Sequence, residues 1–387
     1  MLDLELCTFL KFVLGIYRAF GFFPISLGKY NKRFEDILKL WSLVVVILVG
    51  VYVVPIVANA KKYIYTSEEF GCLNDVMKIV VLPSSVLVCI IDYLVQREHL
   101  RKLWMKYAQL ENVKRVAKLG VFEQICVFKR FVIINVGLIS FYIGSEISIS
   151  MPQNCERCVL FRTILIPLMI ITKIRIFQFI LHFETIRIEM EHLNEELEKL
   201  VELTKQLKKD GTLYSSSDEI CTNIWKMQKT YQTIFEISEH FKDGLGWSVF
   251  ATYLSFFVKI LADIYWTISA LKTVYKTPSG LLICMYEVIF YCRSEFIFLS
   301  CTFRFYIWCP LFSGSIFLSN PMDLKMSAYI QNFSLQLQHQ KIVLDAKGIF
   351  PVDCRFLKSI AAAITTYMVI SIQFIFVMPN NTYTLCM

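Results

Sequence analysis

Thr366, Ile370, Gln373 and Val377 stand at i, i+4, i+7 and i+11 in the stretch ITTYMVISIQFIF, inside a run that carries no charged side chain from Ser359 to Met387. On a helix these four positions share one face. A glutamine amide is costly in hydrocarbon unless it meets a hydrogen-bond partner or water. The chemistry open to this face is therefore of two kinds. Gln373 bonds a neighbouring helix, or the face meets water. Tyr367 and Phe374, also seven apart, flank the stripe.

A second group of polar residues interrupts other apolar runs. Glu146, Asp263 and Glu287 have aromatic neighbours in sequence: Tyr142 one helical turn before Glu146, Trp266 three residues after Asp263, and Tyr286 beside Glu287. Such carboxylates and rings suit the walls of a small-molecule pocket. Structural pairing is the competing reading, since Lys259 and Asp263 are four apart and can neutralise each other. Arg293 and Glu295 are placed to pair with groups such as Asp92 near the end of another run. Lys173 and Arg175 are expected to snorkel to an interface.

Catalysis finds no support. His99, His182, His192, His240 and His339 show no HExxH or other metal spacing, and neither a phosphate loop nor a nucleophile elbow is present. His182 with Glu184 reads as a solvated helix face. Cys155 and Cys158 form a lone CxxC in a short polar loop, where a disulfide is conceivable, while zinc would need further ligands. Most of the other cysteines, including Cys89 and Cys284, sit in apolar runs as small packing residues. No cofactor is implied.

The elements that must position these residues follow from the patterning. Of 387 residues 56% are hydrophobic and 19% charged, and the apolar residues fall in long uncharged runs. A spanning helix needs about 20 such residues. Seven runs qualify: Trp41–Asn59, Ile79–Val95, Phe131–Ile149, Val159–Leu181, Gly246–Ile268, Leu281–Cys301 and Phe356–Val377. The expected fold is all-α, a seven-transmembrane helix bundle in a lipid bilayer. No internal repeat and no cleavable signal peptide is apparent.

Lys and Arg number 28 in the N-terminal arm and alternate loops, against 6 in the opposite set. This places the N-terminus in the cytosol and the C-terminus outside, the reverse of a G-protein-coupled receptor. The net charge of +8 tracks the span boundaries, so it speaks for a basic membrane surface and against nucleic acid. After the fourth span Ile186, Met190, Leu193, Leu197, Leu200, Leu203 and Leu207 recur at three and four. That pattern continues the span as an amphipathic helix that must pack on other helices. Asn332–Leu344 is a second amphipathic candidate. The sequons at Asn332 and Asn380 fall on the cytosolic side and close to the bilayer, respectively.

Thr366-Tyr367, five residues, then Gln373-Phe374 resembles the TY-(five)-QF signature of insect gustatory receptors. The upstream FSLQLQHQKIVLDAKGIFPVDCRFLKSIAAAITTY is similar to that family's C-terminal block, notably at Phe333, Leu335, Gln336, Gly348, Phe350, Asp353 and Ser359. The match covers about 45 residues, and FGFFPI from Phe20 agrees as well. The resemblance implies a ligand-gated, non-selective cation channel, built as a homo- or hetero-tetramer and opened by a small-molecule tastant in the plasma membrane of sensory neurons.

It further implies that the seventh span lines a central pore. Rings of Thr366 and Gln373 would meet water, Ile370 and Val377 would constrict by dewetting, and Tyr367 and Phe374 would pack between subunits. The chain divides accordingly into a cytosolic arm (1–40), a six-span ligand-binding region (41–301) with a cytosolic helical extension (182–245), an anchor segment (302–355), the pore helix (356–377) and an extracellular tail (378–387). Sugar receptors of the family carry an acidic residue after the TY pair. Met368 stands there, which implies a non-sugar stimulus. An odorant-receptor-type subunit is the nearest alternative. A secondary transporter is the alternative from another class, although no paired broken helices are visible.

Overall fold

The computed structural model describes residues 8–23, 25, 32–59, 69–116, 137, 140, 156–210, 217–274, 324–352 and 354–377, and the statements below concern these. They form eight named helices: α1 (Thr8–Ala19), α2 (Lys32–Ala58), α3 (Glu69–Val95), α4 (Arg97–Val116), α5 (Glu156–Lys209), α6 (Ser217–Val274), α7 (Leu324–His339) and α8 (Cys354–Val377). Among the described residues there is no strand, only one isolated bridge between Asp345 and Pro351.

Five helices are long and apolar enough to cross a membrane: α2, α3, α5, α6 and α8. Each contains one of the expected runs, the first of them all but its last residue, Asn59. The third and sixth runs lie outside the described residues, apart from helical Gly137 and Ser140. The lipid-compatible half of α5 continues without a break into its amphipathic half. There Ile186, Met190, Leu193, Leu197 and Leu200 are all buried, while Leu203 at the far end is exposed. At 1.5 Å per residue the 54 residues of α5 extend about 80 Å, far beyond a bilayer core.

Helix α6 is the hub. It packs against α3, α4, α5, α7 and α8. Its buried stripe runs Ile220, Ile224, Met227, Tyr231, Ile234, Ile237, Phe241, Leu245 and Val249, stepping by three and four. Where α6 crosses α3, Asp92 accepts from the Ser248 amide at 2.9 Å and from the Ser248 hydroxyl at 2.7 Å. These bonds give the buried Asp92 its partner. Arg293 and Glu295, the expected partners, lie outside the described residues.

The FGFFPI segment after α1 is a plug. Gly21 turns the chain with φ 76°, a conformation that suits glycine. Phe22, Phe23 and Ile25 are then buried, with Phe23 edge-on to Trp104 of α4 at 5.5 Å. Trp41 Nε1 and Ser42 Oγ of α2 donate to the Ala19 and Gly21 carbonyls, both at 3.0 Å.

Three expectations are corrected here. Arg175 does not snorkel: it is 1% exposed and lies over the rings of Tyr93 at 4.1 Å and Phe179 at 4.3 Å, with Nη1 donating to Gln178 at 2.7 Å. Aromatic faces can hold a guanidinium where water is absent. His182 is not on a solvated face: it is buried, stacked on Tyr107, with Trp104 and Phe241 edge-on. Here tertiary packing overrides the local polar pattern. The second amphipathic segment is helical only to His339, after which the chain turns.

Candidate functional site

Helix α8 forms readily: it has no interior Gly or Pro, and its serine and threonine hydroxyls bond back along the helix. Thr366 Oγ1 donates to the Ala362 carbonyl at 3.0 Å and Thr365 Oγ1 to that of Ala361 at 2.9 Å. One stripe packs on the rest of the chain: Ile360, Ser371 and Ile375 are buried, with Ile364 and Tyr367 partly so. Everything else described between Ala361 and Phe374 is exposed.

Thr366, Ile370 and Gln373 lie on this uncovered side. Among the described residues Gln373 makes no side-chain hydrogen bond. Val377 ends α8, and its side chain is outside the described residues. Phe374 is 39% exposed. Tyr367 is turned partly inward, and its hydroxyl donates to Asn74 Oδ1 of α3 at 2.6 Å. The residue at 372, one position from Gln373, is also exposed at 40%, whereas Ser371 is fully buried.

The root of α8 is built by the turn after α7. Tyr231 Oη donates to the Gln340 carbonyl at 2.6 Å, and Gln336 Nε2 to Gln232 Oε1 at 2.9 Å, so α7 lies fixed along α6. The turn closes by Ala346 N to the Phe350 carbonyl at 3.0 Å and Val352 N to that of Leu344 at 2.9 Å. Phe350 then stacks on Phe356 in the first turn of α8, centroids 4.0 Å apart, and Tyr253 of α6 meets Phe356 edge-on at 5.4 Å.

The remaining candidates are not assembled by the described residues. Tyr142, Glu146, Tyr286 and Glu287 lie outside them, and for Asp263 and Trp266 only the helical backbone of α6 is described. Cys155 likewise lies outside. No group of His, Cys, Asp and Glu that could hold a metal is found among the described residues. Sequence reasoning passed over Asn74, which anchors Tyr367. The only signal was the polar triplet of Asn74, Asp75 and Lys78 just before the second apolar run.

Electrostatics at the α4–α6 end are those of a wetted surface. Lys106 Nζ meets Glu236 Oε2 at 2.6 Å. Burial, and then repulsion from neighbours that include Lys102 and Lys106, hold His240 below the ordinary histidine pKa. It is therefore mostly neutral near pH 7.

Residues 10–378 match the family model described as 7tm Chemosensory receptor. The chain belongs to this chemosensory receptor family. It is a family of receptors, not of enzymes. Among Drosophila melanogaster relatives, the chain is 26% identical over 172 residues to one named as gustatory receptor 39b, covering 42% of this chain and 46% of that one. It is 43% identical over 53 residues to gustatory receptor 23a, 14% of each. The chain thus spans less than half the length of the curated relatives it matches. Among solved structures, the olfactory receptor OR5 of the insect Machilis hrabei superposes with a TM-score of 0.65 at 14% identity, covering 95% of this chain and 98% of that one. The same receptor in complex with eugenol gives 0.64, covering 96% and 99%. The chemosensory receptor fold therefore extends over nearly the whole chain.

Proposed function

We propose that this chemosensory receptor is a gustatory receptor acting as a ligand-gated, non-selective cation channel, with seven spans, the N-terminus in the cytosol and the C-terminus outside. Four copies, alike or mixed with related receptors, assemble so that α8 surrounds one pore in the plasma membrane of a sensory neuron. The observation that carries this reading is the uncovered side of α8. A helix exposing Thr366 and Gln373 together with Ile370 is wrong for lipid and right for a wet, constricted conduit.

The ligand is a small molecule, and eugenol bound to OR5 is an example of the size class. Glu146, Asp263 and Glu287, with Tyr142, Trp266 and Tyr286, are proposed as its contacts, and Met368 argues for a non-sugar stimulus. The test expresses the chain alone, then with a related receptor, and records current evoked by a tastant panel. Ligand-evoked cation current supports the reading. Substrate uptake without current would replace it with transport. Tags at the two termini check orientation: on intact cells only the one after Met387 should be reached by antibody.

A further inference from the structure

Helix α6 passes under the turn between α7 and α8 at Gly246. A Cβ built there would stand 2.7 Å from the Lys347 backbone nitrogen and 2.9 Å from Lys347 Cβ. The nearest obstacle is backbone, so an alanine must push the turn as a body. Two other glycines behave differently. At Gly244 a Cβ meets the flexible Leu100 side chain at 3.3 Å, and at Gly50 of α2 nothing lies within 4 Å.

The turn has little freedom to yield. Lys347 has φ 56° and Gly348 φ 77°, and a left-handed lysine is held only by its surroundings. Those surroundings are α6 again: Lys347 Nζ donates to the Asp243 carbonyl at 2.9 Å. Three residues on, Phe350 carries the connection into α8 by its stack on Phe356. One path from α6 to α8 runs through the close backbone approach at Gly246, the lysine hook and the ring stack, beside the direct contact of Tyr253 with Phe356.

The geometry points to Gly246 as a positioning residue for gating: its close approach to Lys347 couples displacement of α6 to the root of α8. This rests on the channel reading, because α6 also carries Asp263 and Trp266 of the proposed ligand site. A bulkier residue at 246 shifts α8 along its length, far from the substitution.

The test reads α8 without any ligand. Gln373→Cys is introduced into the full chain, and its rate of modification by a charged, water-soluble methanethiosulfonate is measured on intact cells, per copy at the surface and against the Gln373 parent as background. Adding Gly246→Ala is expected to change that rate by about fivefold or more, the low end of ordinary coupling between sites. Adding Gly50→Ala should leave it unchanged.

If Gly246→Ala does not reach the surface, Lys347→Met, which removes the hook without a clash, serves in its place and should shift the rate in the same assay. Equal, measurable rates with and without the substitution would overturn the coupling and leave the pore reading standing. No modification of Cys at 373 in any background would overturn the wet face of α8, and the coupling with it.

Discussion

Helices α2 and α8 are equally uncovered: each buries 17% of its most apolar stretch within the chain, against 61% for α6. Yet they expose different chemistry. Within its apolar run the exposed side of α2 includes Trp41, Leu43, Ile47, Leu48, Val51, Tyr52, Val54 and Val57, a surface suited to acyl chains, while its exposed charges Lys32, Arg33 and Asp36 come before that run. On α8 the exposed residues include Thr365, Thr366 and Gln373 among Ile370, Ile372 and Phe374. Low burial alone does not tell lipid from water or from another subunit. The polar content of the exposed side does, because an amide facing hydrocarbon costs free energy that a valine does not.

The attachments differ as well. At its N-terminal end α2 is pinned by Glu35, buried against α4, which accepts from Arg101 Nη2 at 2.7 and 2.9 Å. Helix α8 is held by aromatic packing at its root and, further along, by the bond from Tyr367 to Asn74. In the proposed channel α8 has to move relative to its neighbours, and ring packing suits that need better than a buried ion pair.

The largest expected effect tests the two surfaces directly. Val51→Glu places a carboxylate on the lipid side of α2, at a cost of about 3 kcal/mol at mid-span, and should lower surface-inserted protein up to about a hundredfold. Gln373→Glu on α8 should reach the surface and instead strengthen divalent permeation or block, while Gln373→Leu should reduce current. Similar insertion losses for Val51→Glu and Gln373→Glu would erase the distinction between the helices.

Next in size is cysteine reactivity along α8. A Cys at 373 should react with a water-soluble thiol reagent about tenfold faster than one at Ser371, which is fully buried, and the gap comes from burial. Ser371 is a sharper control than Ile372, which shares the exposed side. Equal rates at 371 and 373 would mean that α8 turns a different face to water.

Smaller effects test the attachments. Glu35→Gln strands part of the Arg101 charge. Because Arg101 is 28% exposed, solvent offsets some of the loss, leaving about 1–2 kcal/mol. The measurement is thermal stability of the detergent-purified receptor, and no shift would show that the plug and α2 hold without the pair. Tyr367→Phe removes one hydrogen bond while keeping the ring, for about 1 kcal/mol. In that variant the midpoint of the ligand response should move severalfold while single-channel conductance stays constant. A changed conductance would place Tyr367 in the pore.

The sequence by itself determined where the five long apolar helices run and which positions along them share a face. The uncharged runs, the stripe from Ile186 to Leu200 and the i, i+4, i+7 face at Thr366, Ile370 and Gln373 are local periodicities, and periodicity survives in a linear string. Membership in the chemosensory family was legible for the same reason, in the TY and QF pairs. Only the tertiary structure decided what lies against each side. It buried Arg175 among rings, took His182 out of water, paired Asp92 with Ser248 and set Asn74 under Tyr367. Each of these joins residues far apart in the chain, and a buried polar group is defined by partners that no local pattern encodes. Gly246 is the extreme case: its role comes from the backbone it lets approach, and a glycine carries no side chain to announce that.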